Sequence, residues 1–521
     1  MWFVTLISST FFFFARKRTE GSVTGLGKSK VVERNYAISI HGLQKLIGYE
    51  HDLINTLQNF TESLQQRVDT IESYLEMMHY EADEQFPTNP IENFRVMRRL
   101  HSDYSNFLWL LKEQPWEAFA TQTKALAGLL PTDKDIHEAI RGLNTIQSIY
   151  SIPAHKMARG ILLNVHHNTS LNAMECFTIA KDLVHDKDYS AAMEWLTVGA
   201  IMYLADQKNE DLYTHLGFPL PSFIELFADI QDALGSRALA MTELESAMES
   251  WPDEVSLGRA HTQLKMNIRI GKEPERKEEN RVLEKDKVYR DCCTAECRPN
   301  SKLFCVYNTT ASYFLRLAPF KTEILSLDPY VVLYHDVASE KNIRHIKNLA
   351  QGDLARGMVY KSGGTVGEDP GRTTKGFALE NSDGVMQRMT QLIGDMTNLD
   401  LEDSEPFQVM NYGIGGYFHI HHDSFKEQKA KIEYVSDRIA TALFYLSEVP
   451  QGGATVFPQL KLSVFPKKGS ALVWYNLHHE GDGDKRTDHS ACPTIVGSKW
   501  AMTKWIGERG QIFRKPCLKY I

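Results

Sequence analysis

Four side chains near the C-terminal end of the chain could form a metal centre with an anion site beside it: His421, Asp423, His489 and Lys499. His421 and Asp423 lie two positions apart in a segment with strand character, so both should point to one face of a sheet. Two histidines and one carboxylate, with open coordination positions, are typical of non-heme Fe(II) in oxygen chemistry. Lys499 would add a cation beside the metal, which suits an anionic co-substrate.

The segments around these side chains have the composition of short β-strands. The strands that we expect are 407–412, 417–423, 438–446, 452–457 and 470–475, followed by a hairpin within 489–505. Short strands at this spacing are typical of a double-stranded β-helix, or jelly roll. In the hairpin, His489 and Lys499 should lie on neighbouring antiparallel strands, a few ångströms apart.

Five stretches are the most distinctive of this region: 408–416 (QVMNYGIGG), 421–423 (HHD), 452–458 (GGATVFP), 474–476 (WYN) and 489–500 (HSACPTIVGSKW). Together they resemble the catalytic domain of the 2-oxoglutarate-dependent prolyl 4-hydroxylases, and in particular the α-subunit of the collagen enzyme. A looser resemblance extends over nearly the whole chain. It implies hydroxylation of peptidyl proline at C4, with oxidative decarboxylation of 2-oxoglutarate to succinate and CO2.

The resemblance assigns a role to each of the four residues. His421, Asp423 and His489 would ligate Fe(II), and Lys499 would bind the distal carboxylate of 2-oxoglutarate. Dioxygen would be the other co-substrate, and ascorbate would return oxidised iron to Fe(II). Most of the oxidative chemistry would belong to the cofactor, while the protein would orient the substrate.

Further residues are implied around this centre. The hydroxyl groups of Tyr412 and Thr455 would help to hold the co-substrate carboxylate, and Arg438 and Trp505 would lie near the peptide or co-substrate pocket. Other histidines are alternatives. His419 shares a face with His421, His422 points the other way and is interpreted as a packing or surface residue, and neither His478 nor His479 has a lysine at the required offset.

The seven cysteines indicate an oxidising compartment when they are compared with the resembled family. The resemblance implies a disulfide between Cys492 and Cys517, and a second one between Cys305 and either Cys292 or Cys293. Because the number of cysteines is odd, at least one thiol is free or intermolecular.

The composition is that of a globular protein with more than one core. The chain has 521 residues, of which 43% are hydrophobic and 24% are charged. A net charge of −8 argues against a general polyanion binder, and no nucleic-acid-binding motif is present.

The N-terminal segment predicts a secretory signal peptide over residues 1–20 and no membrane span. Its apolar run, 2–15, is short for a span and precedes a basic cluster at 16–18. Sequons at Asn59, Asn168 and Asn308 are compatible with glycosylation. The resemblance implies the lumen of the endoplasmic reticulum, where the chain would be retained by its partner, because it ends in no retention signal.

Residues 33–155 are expected to form a helical dimerisation region. Apolar residues recur at intervals of three and four, at 53, 57, 60, 64, 68, 71, 75 and 78. This spacing is typical of a coiled-coil seam, and equally of the core stripe of a bundled helix. The resemblance favours self-association, in an alpha2beta2 tetramer with protein disulfide isomerase as the β-subunit.

Residues 165–268 have the pattern of paired amphipathic helices and resemble tetratricopeptide repeats. In the resembled family this domain binds proline-rich peptides on tyrosines. The chain departs from that pattern, because Phe223, Phe227 and Ile230 occur in that region. They are either substrate-binding residues of an altered groove or core residues of the repeats.

The whole chain is therefore expected to be a multidomain α + β protein. A charged linker with cysteines, 269–320, would connect the helical domains to a dioxygenase domain at 321–521.

Two alternative functions remain. One is the same chemistry on another acceptor, such as lysine, although a lysyl hydroxylase is expected to use arginine where this chain has Lys499. The other is a non-catalytic subunit that binds a peptide or partner.

Overall fold

The computed structural model describes residues 35–77, 117–273, 284–297, 304–310, 312–360, 366–368, 371–425 and 436–514. The N-terminal part of the described chain is helical, and the part after residue 304 is dominated by antiparallel strands, as expected for an α + β protein. The predicted signal peptide (1–20) and Cys517 lie outside the described residues.

Helices α1 to α13 are, in chain order, Ile40–Met77, Glu117–Leu126, Asp133–Tyr150, Ala154–Ala158, Ala173–His185, Tyr189–Ala205, Glu210–His215, Leu220–Leu234, Arg237–Ser250, Val255–Arg269, Glu284–Cys293, Glu340–Ala350 and Gly384–Thr397. Capping boxes define the starts of α3 and α5. Thr132 and Asp135 exchange hydrogen bonds at the start of α3, and Asn172 and Glu175 do so at the start of α5.

Helix α1 presents an apolar stripe to the outside. Its residues Ile54, Leu57, Leu64, Val68 and Leu75 are each 40–55% exposed. An unburied stripe of this length is compatible with the predicted coiled-coil seam, which stays a prediction. No helix within the described residues is both long enough and apolar enough to cross a membrane.

Helices α5, α6 and α8 pack around a large core that α3 shares, and α8, α9 and α10 pack around a second, smaller core. Gly199 of α6 lies where α5 crosses it, and a Cβ at this glycine would lie 3.1 Å from the Cys176 Cβ. The missing side chain therefore permits the close approach of the two helices. Pairing of this kind agrees with the predicted helical domain, whereas its identity as a tetratricopeptide repeat stays a prediction.

Strands β1 to β19 are Ile161–Leu162, Val165–His166, Phe304–Asn308, Phe320–Leu327, Tyr330–His335, Ala355–Arg356, Met358–Tyr360, Val366–Glu368, Thr374–Leu379, Phe407–Tyr412, Phe418–His421, Arg438–Tyr445, Gln451–Gly452, Thr455–Phe457, Leu462–Val464, Ala471–Tyr475, His489–Ala491, Thr494–Val496 and Trp500–Gly507. The larger sheet has the order β3-β4-β5-β16-β12-β19-β10-β9-β6, and the smaller has the order β11-β17-β14-β15.

The two sheets face each other across one apolar core. Trp474 and Tyr445 come from the larger sheet, and Phe457 and Leu462 come from the smaller sheet. The outer face of the larger sheet is covered by α12 and α13. Two antiparallel sheets packed in this way agree with the predicted jelly roll.

The predicted hairpin within 489–505 is wrong. Strand β17 belongs to the smaller sheet, where β11 and β14 occupy both of its hydrogen-bonding edges. Strand β19 lies in the larger sheet between β12 and β10. Because neither strand has a free edge, the two cannot pair. His489 and Lys499 consequently approach the interior from opposite sheets.

The predicted disulfides are also wrong. Cys293 bonds to Cys492, Cys292 bonds to Cys297, and Cys305 is an exposed free thiol. Helix α11 packs against β14 and β15, where the Ser463 hydroxyl donates to the Cys292 carbonyl at 2.7 Å. This packing brings the end of α11 to the end of β17, whereas Cys305 lies on β3 at the outer edge of the larger sheet.

Helix α3 joins the helical domain to the jelly roll. A Cβ at Gly142 would lie 2.1 Å from the Ile414 carbonyl oxygen, so the helix backbone rests directly on the turn before β11. At the end of the helix, the Tyr150 hydroxyl donates to the Pro493 carbonyl at 2.7 Å. On its other side, Gln147 accepts from the Trp195 indole of α6 at 2.7 Å.

Candidate metal and co-substrate site

Two strands of the smaller sheet position the predicted metal ligands. His421 ends β11 and pairs in register with His489 at the start of β17, and Asp423 follows two residues after His421. The Nε2 atom of His421 lies 3.6 Å from Asp423 Oδ1, and the Nε2 atom of His489 lies 3.7 Å from Asp423 Oδ2. All three ligand atoms lie within 4.8 Å of one another. This donor set and grouping fit a facial site for Fe(II).

Backbone carbonyls orient both imidazoles. The Nδ1 atom of His421 lies 2.8 Å from the His419 carbonyl oxygen, and that of His489 lies 3.1 Å from the Thr487 carbonyl oxygen. Since a carbonyl only accepts, each Nδ1 carries the proton and each Nε2 keeps its lone pair for a metal. Burial lowers the pKa of His421 well below its ordinary value and also lowers the pKa of His489. Both rings are thus neutral ligands near pH 7.

Asp423 is held by a residue that the sequence did not single out. The Thr441 hydroxyl donates to Asp423 Oδ2 at 2.6 Å and accepts from the Asn476 amide at 3.0 Å. Burial opposes ionisation, but the nearby His489 and His421, the Arg438 guanidinium and the Thr441 hydrogen bond together lower the pKa of Asp423 below its usual range. The signal for Thr441 was its hydroxyl among the otherwise apolar residues 439–444 of β12.

Aromatic rings pack against both histidine ligands. Phe418 stacks on His421 with ring centroids 3.7 Å apart, and Trp474 meets His489 edge-on at 4.7 Å. These rings restrict the movement of the imidazoles and limit access of water to this side of the site.

Lys499 is a buried cation directly before β19, and it is 1% exposed. Its ammonium donates to the Gly453 carbonyl at 2.7 Å and lies 4.7 Å from the centre of the Tyr412 ring. No carboxylate forms an ion pair with it within the described part of the chain. Burial lowers the pKa of Lys499 to about 7. A buried ammonium without a counter-ion is suited to a bound anion.

The two predicted hydroxyl groups are buried as well. Burial raises the pKa of Tyr412 to about 12, so its phenol stays protonated. Thr455 accepts a hydrogen bond from the Tyr445 hydroxyl at 2.8 Å. Because Tyr445 supplies the proton of this bond, the Thr455 hydroxyl keeps its own proton to donate.

Arg438 contacts the segment that carries Asp423. Its guanidinium forms an ion pair with Glu405 and lies over the rings of Trp505 at 3.9 Å and Phe425 at 4.3 Å. It also lies 3.4 Å from the Asp423 carbonyl oxygen. The indole N–H of half-buried Trp505 has no hydrogen-bond partner within the described residues. A contact of either residue with peptide or co-substrate stays a prediction.

The prediction that Phe223 and Ile230 bind substrate is wrong for the described conformation. Phe223 is 3% exposed and packs against Phe177, with ring centroids 4.6 Å apart, while Ile230 is fully buried. Phe227 is half-buried against the same core. The helical periodicity of α8 turns these side chains inward. The structure therefore favours their interpretation as core residues over their interpretation as groove residues.

The remaining histidines of the region lie outside the ligand cluster. His422 is buried, accepts from the Ser424 amide at 3.0 Å, and lies 3.1 Å from the Asp484 carbonyl oxygen, as expected for a packing residue. His478 lies 3.6 Å from Asp484, and neither His478 nor His419 belongs to the group that could hold a metal.

Two family descriptions match parts of the chain. Residues 39–164 match "Prolyl 4-Hydroxylase alpha-subunit, N-terminal region", and residues 407–507 match the 2OG-Fe(II) oxygenase superfamily. The second match includes all three metal ligands and Lys499.

Full-length relatives are similar over nearly the whole chain. Prolyl 4-hydroxylase subunit alpha-2 of Caenorhabditis elegans is 31% identical, covering 92% of each chain. Prolyl 4-hydroxylase subunit alpha-1 of Homo sapiens is 30% identical, covering 92% of this chain and 95% of its own. A solved viral collagen prolyl hydroxylase from Paramecium bursaria Chlorella virus-1 is 23% identical, with a TM-score of 0.28, and covers 34% of this chain and 94% of its own.

Proposed function

Because the chain belongs to the prolyl 4-hydroxylase alpha-subunit family, we propose that it hydroxylates C4 of peptidyl proline, with 2-oxoglutarate and O2 as co-substrates. The observation that carries this function is the enclosed cluster of His421, Asp423 and His489, whose free donor atoms converge. Lys499, directly before β19, is a buried cation suited to the co-substrate.

Fe(II), when bound by the three ligands, would supply the activation of O2 and the coupled conversion of 2-oxoglutarate to succinate and CO2. The residues of the chain have four tasks in this reaction. Lys499 pairs with the distal carboxylate of the co-substrate, and Thr455 donates a hydrogen bond to it. Thr441 keeps Asp423 oriented toward the metal, and Phe418 helps to exclude water.

The acceptor that we propose is a collagen-like or other proline-rich chain. Similarity to alpha subunits over nearly the whole length supports this acceptor, and the paired helices of 165–268 offer a peptide-binding domain. Because Phe223 and Ile230 are core residues, that domain would bind a polyproline helix through other residues.

The assembly that we propose is an alpha2beta2 tetramer in the lumen of the endoplasmic reticulum, with protein disulfide isomerase as the β-subunit and ascorbate as the reductant. Two observations support it. The disulfides Cys292–Cys297 and Cys293–Cys492 suit an oxidising compartment. The exposed apolar stripe of α1 suits self-association within the dimerisation region 33–155. The segment 269–320 would connect the helical domain 165–268 to the dioxygenase domain 321–521.

The test is release of labelled CO2 from 2-oxoglutarate in the presence of Fe(II), ascorbate and (Pro-Pro-Gly)-type peptides, with mass spectrometry of the peptide. We expect peptide-dependent release and a 16-mass-unit gain on proline, which is the mass of one added oxygen atom. Both should be lost in His421→Ala and kept in the control His155→Ala, an exposed histidine of α4. Release without peptide dependence, or hydroxylation of a residue other than proline, would contradict the proposed acceptor.

A further inference from the structure

A second group of metal-binding side chains lies where α3 meets α5. His137 belongs to α3, His185 is the last residue of α5, and Asp186 caps that helix. The Nε2 atom of His137 lies 3.7 Å from Asp186 Oδ1, and the Nδ1 atom of His185 lies 3.9 Å from the same oxygen. The ligand atoms lie within 4.8 Å of one another, as in the catalytic cluster.

One of these imidazoles is already oriented for a metal. The Nδ1 atom of His137 lies 2.9 Å from the Asp182 carboxylate, on the previous turn of α5. That carboxylate accepts the Nδ1 proton, which leaves the lone pair on Nε2, the atom that faces Asp186. A histidine held by a carboxylate on one nitrogen and free to coordinate with the other is the common arrangement at protein metal sites.

Two carboxylates and the end of a helix place negative charge at the cluster. Asp182 and Asp186 are both acidic, and the C-terminal end of α5 adds the negative end of a helix dipole. An opposing charge lies on Arg141, whose Nε lies 4.0 Å from Asp186 Oδ2. Its side chain is 44% exposed, so it can move toward solvent when a metal arrives.

We propose that His137, His185 and Asp186 bind a divalent transition metal, with Zn²⁺ as the best match. Two imidazoles and one carboxylate suit zinc, and water would complete a tetrahedral site. Zinc bonds of about 2.0–2.2 Å place neighbouring donors roughly 3.4 Å apart. The observed 3.7 and 3.9 Å separations therefore require only small side-chain movements.

The proposed metal would fasten two domains together. Helix α3 rests on the Ile414 turn before β11, and its Glu138, next to His137, forms an ion pair with Arg356 of β6. Helix α5 is the first long helix of the helical domain. A metal shared by α3 and α5 would thus fix the helical domain relative to the catalytic one.

The test uses the full chain with both catalytic histidines replaced, His421→Ala/His489→Ala, so that zinc cannot bind at the iron site. After equilibrium dialysis against Zn²⁺, elemental analysis should find roughly one zinc per chain, the stoichiometry of one tetrahedral site. Adding His137→Ala/His185→Ala should remove it, whereas adding His155→Ala should not. Visible absorption of a Co²⁺-loaded sample reports the geometry, and an intense tetrahedral spectrum is expected only with the cluster intact.

Two single substitutions refine the test without removing a ligand. Asp182→Asn should raise the zinc Kd by roughly 10- to 100-fold, because it releases the orientation of His137. Arg141→Gln should lower the Kd by roughly two- to fivefold, because it removes an exposed like charge. Less than half an equivalent of zinc in the starting chain, or zinc that persists after His137→Ala/His185→Ala, would overturn the proposal.

Discussion

The two histidine–carboxylate clusters of this chain have the same donor types at similar separations but different surroundings. In the jelly roll the side chains of Asp423 and His489 are 4% and 8% exposed. At the α3–α5 contact the side chain of His185 is 82% exposed. The buried cluster in the jelly roll can therefore exclude water during oxidation, whereas the exposed cluster between α3 and α5 is suited to holding helices together.

The orientation of the ligands differs in the same way. The backbone carbonyls of His419 and Thr487 fix the two catalytic imidazoles, and a separate hydroxyl fixes Asp423. In the helical cluster only His137 has such a partner. Each catalytic imidazole bonds to the carbonyl two residues before it, whereas helix carbonyls are largely used within the helix.

The largest expected effect is at a catalytic ligand. His489→Ala should lower peptide-dependent CO2 release by more than roughly 100-fold, since even loss of a supporting contact costs up to that amount. His137→Ala should leave the rate nearly unchanged, which makes it the matched control. Equal losses in the two variants would remove the functional distinction between the clusters.

Lys499→Met should raise the KM for 2-oxoglutarate by roughly 10- to 100-fold, because a charge-assisted hydrogen bond contributes about 1.5–3 kcal/mol. Initial rates at varied 2-oxoglutarate check this expectation. The KM for the peptide should change much less, and a larger change in the peptide KM would place Lys499 at the acceptor instead.

Thr441→Val should weaken Fe(II) binding by about tenfold, because Asp423 loses the hydroxyl that orients it. Thr441→Ser keeps the hydroxyl and should restore binding. Activity titrated with Fe(II) at saturating 2-oxoglutarate measures the effect. If serine and valine behave alike, packing of the side chain and not its hydrogen bond is what matters.

The affinity for 2-oxoglutarate should depend on pH, because burial lowers the pKa of Lys499 to about 7. Below that pH the ammonium is charged and 2-oxoglutarate binds fully. Above it the free protein must take up a proton to bind the dianion, so the Kd should rise by up to about tenfold per pH unit. Calorimetry in buffers of different ionisation enthalpy measures the proton uptake. The slope should disappear in Lys499→Met, and an unchanged slope there would assign it to another group.

The smallest effect concerns stability. Zinc should raise the Tm of His421→Ala/His489→Ala by a few degrees, because a ligand that binds only the folded state stabilises it by about 1–3 kcal/mol at moderate excess. Thermal unfolding with and without zinc checks this. The added substitutions His137→Ala/His185→Ala should remove the shift, and a shift that survives them would mean that the zinc binds elsewhere.

The sequence by itself determined the chemistry of the catalytic site. The types and spacing of His421, Asp423, His489 and Lys499 predicted an iron site with an anion beside it, because metals select donor atoms and the strand period places alternate residues on one face. The stretches around them carried the resemblance to the prolyl 4-hydroxylases. The sequence also predicted the strand pattern and the helical N-terminal half, since both depend on local periodicity.

Only the tertiary structure decided which distant parts meet. The partners of Cys293 and β17, the inward packing of Phe223, and the contact of His137 with His185 depend on which strand edges and helix faces are already occupied. Occupancy of an edge or face is a property of the assembled chain. The local spacing of residues does not predict this occupancy, because residues far apart in sequence become neighbours only when the sheets and helices have packed.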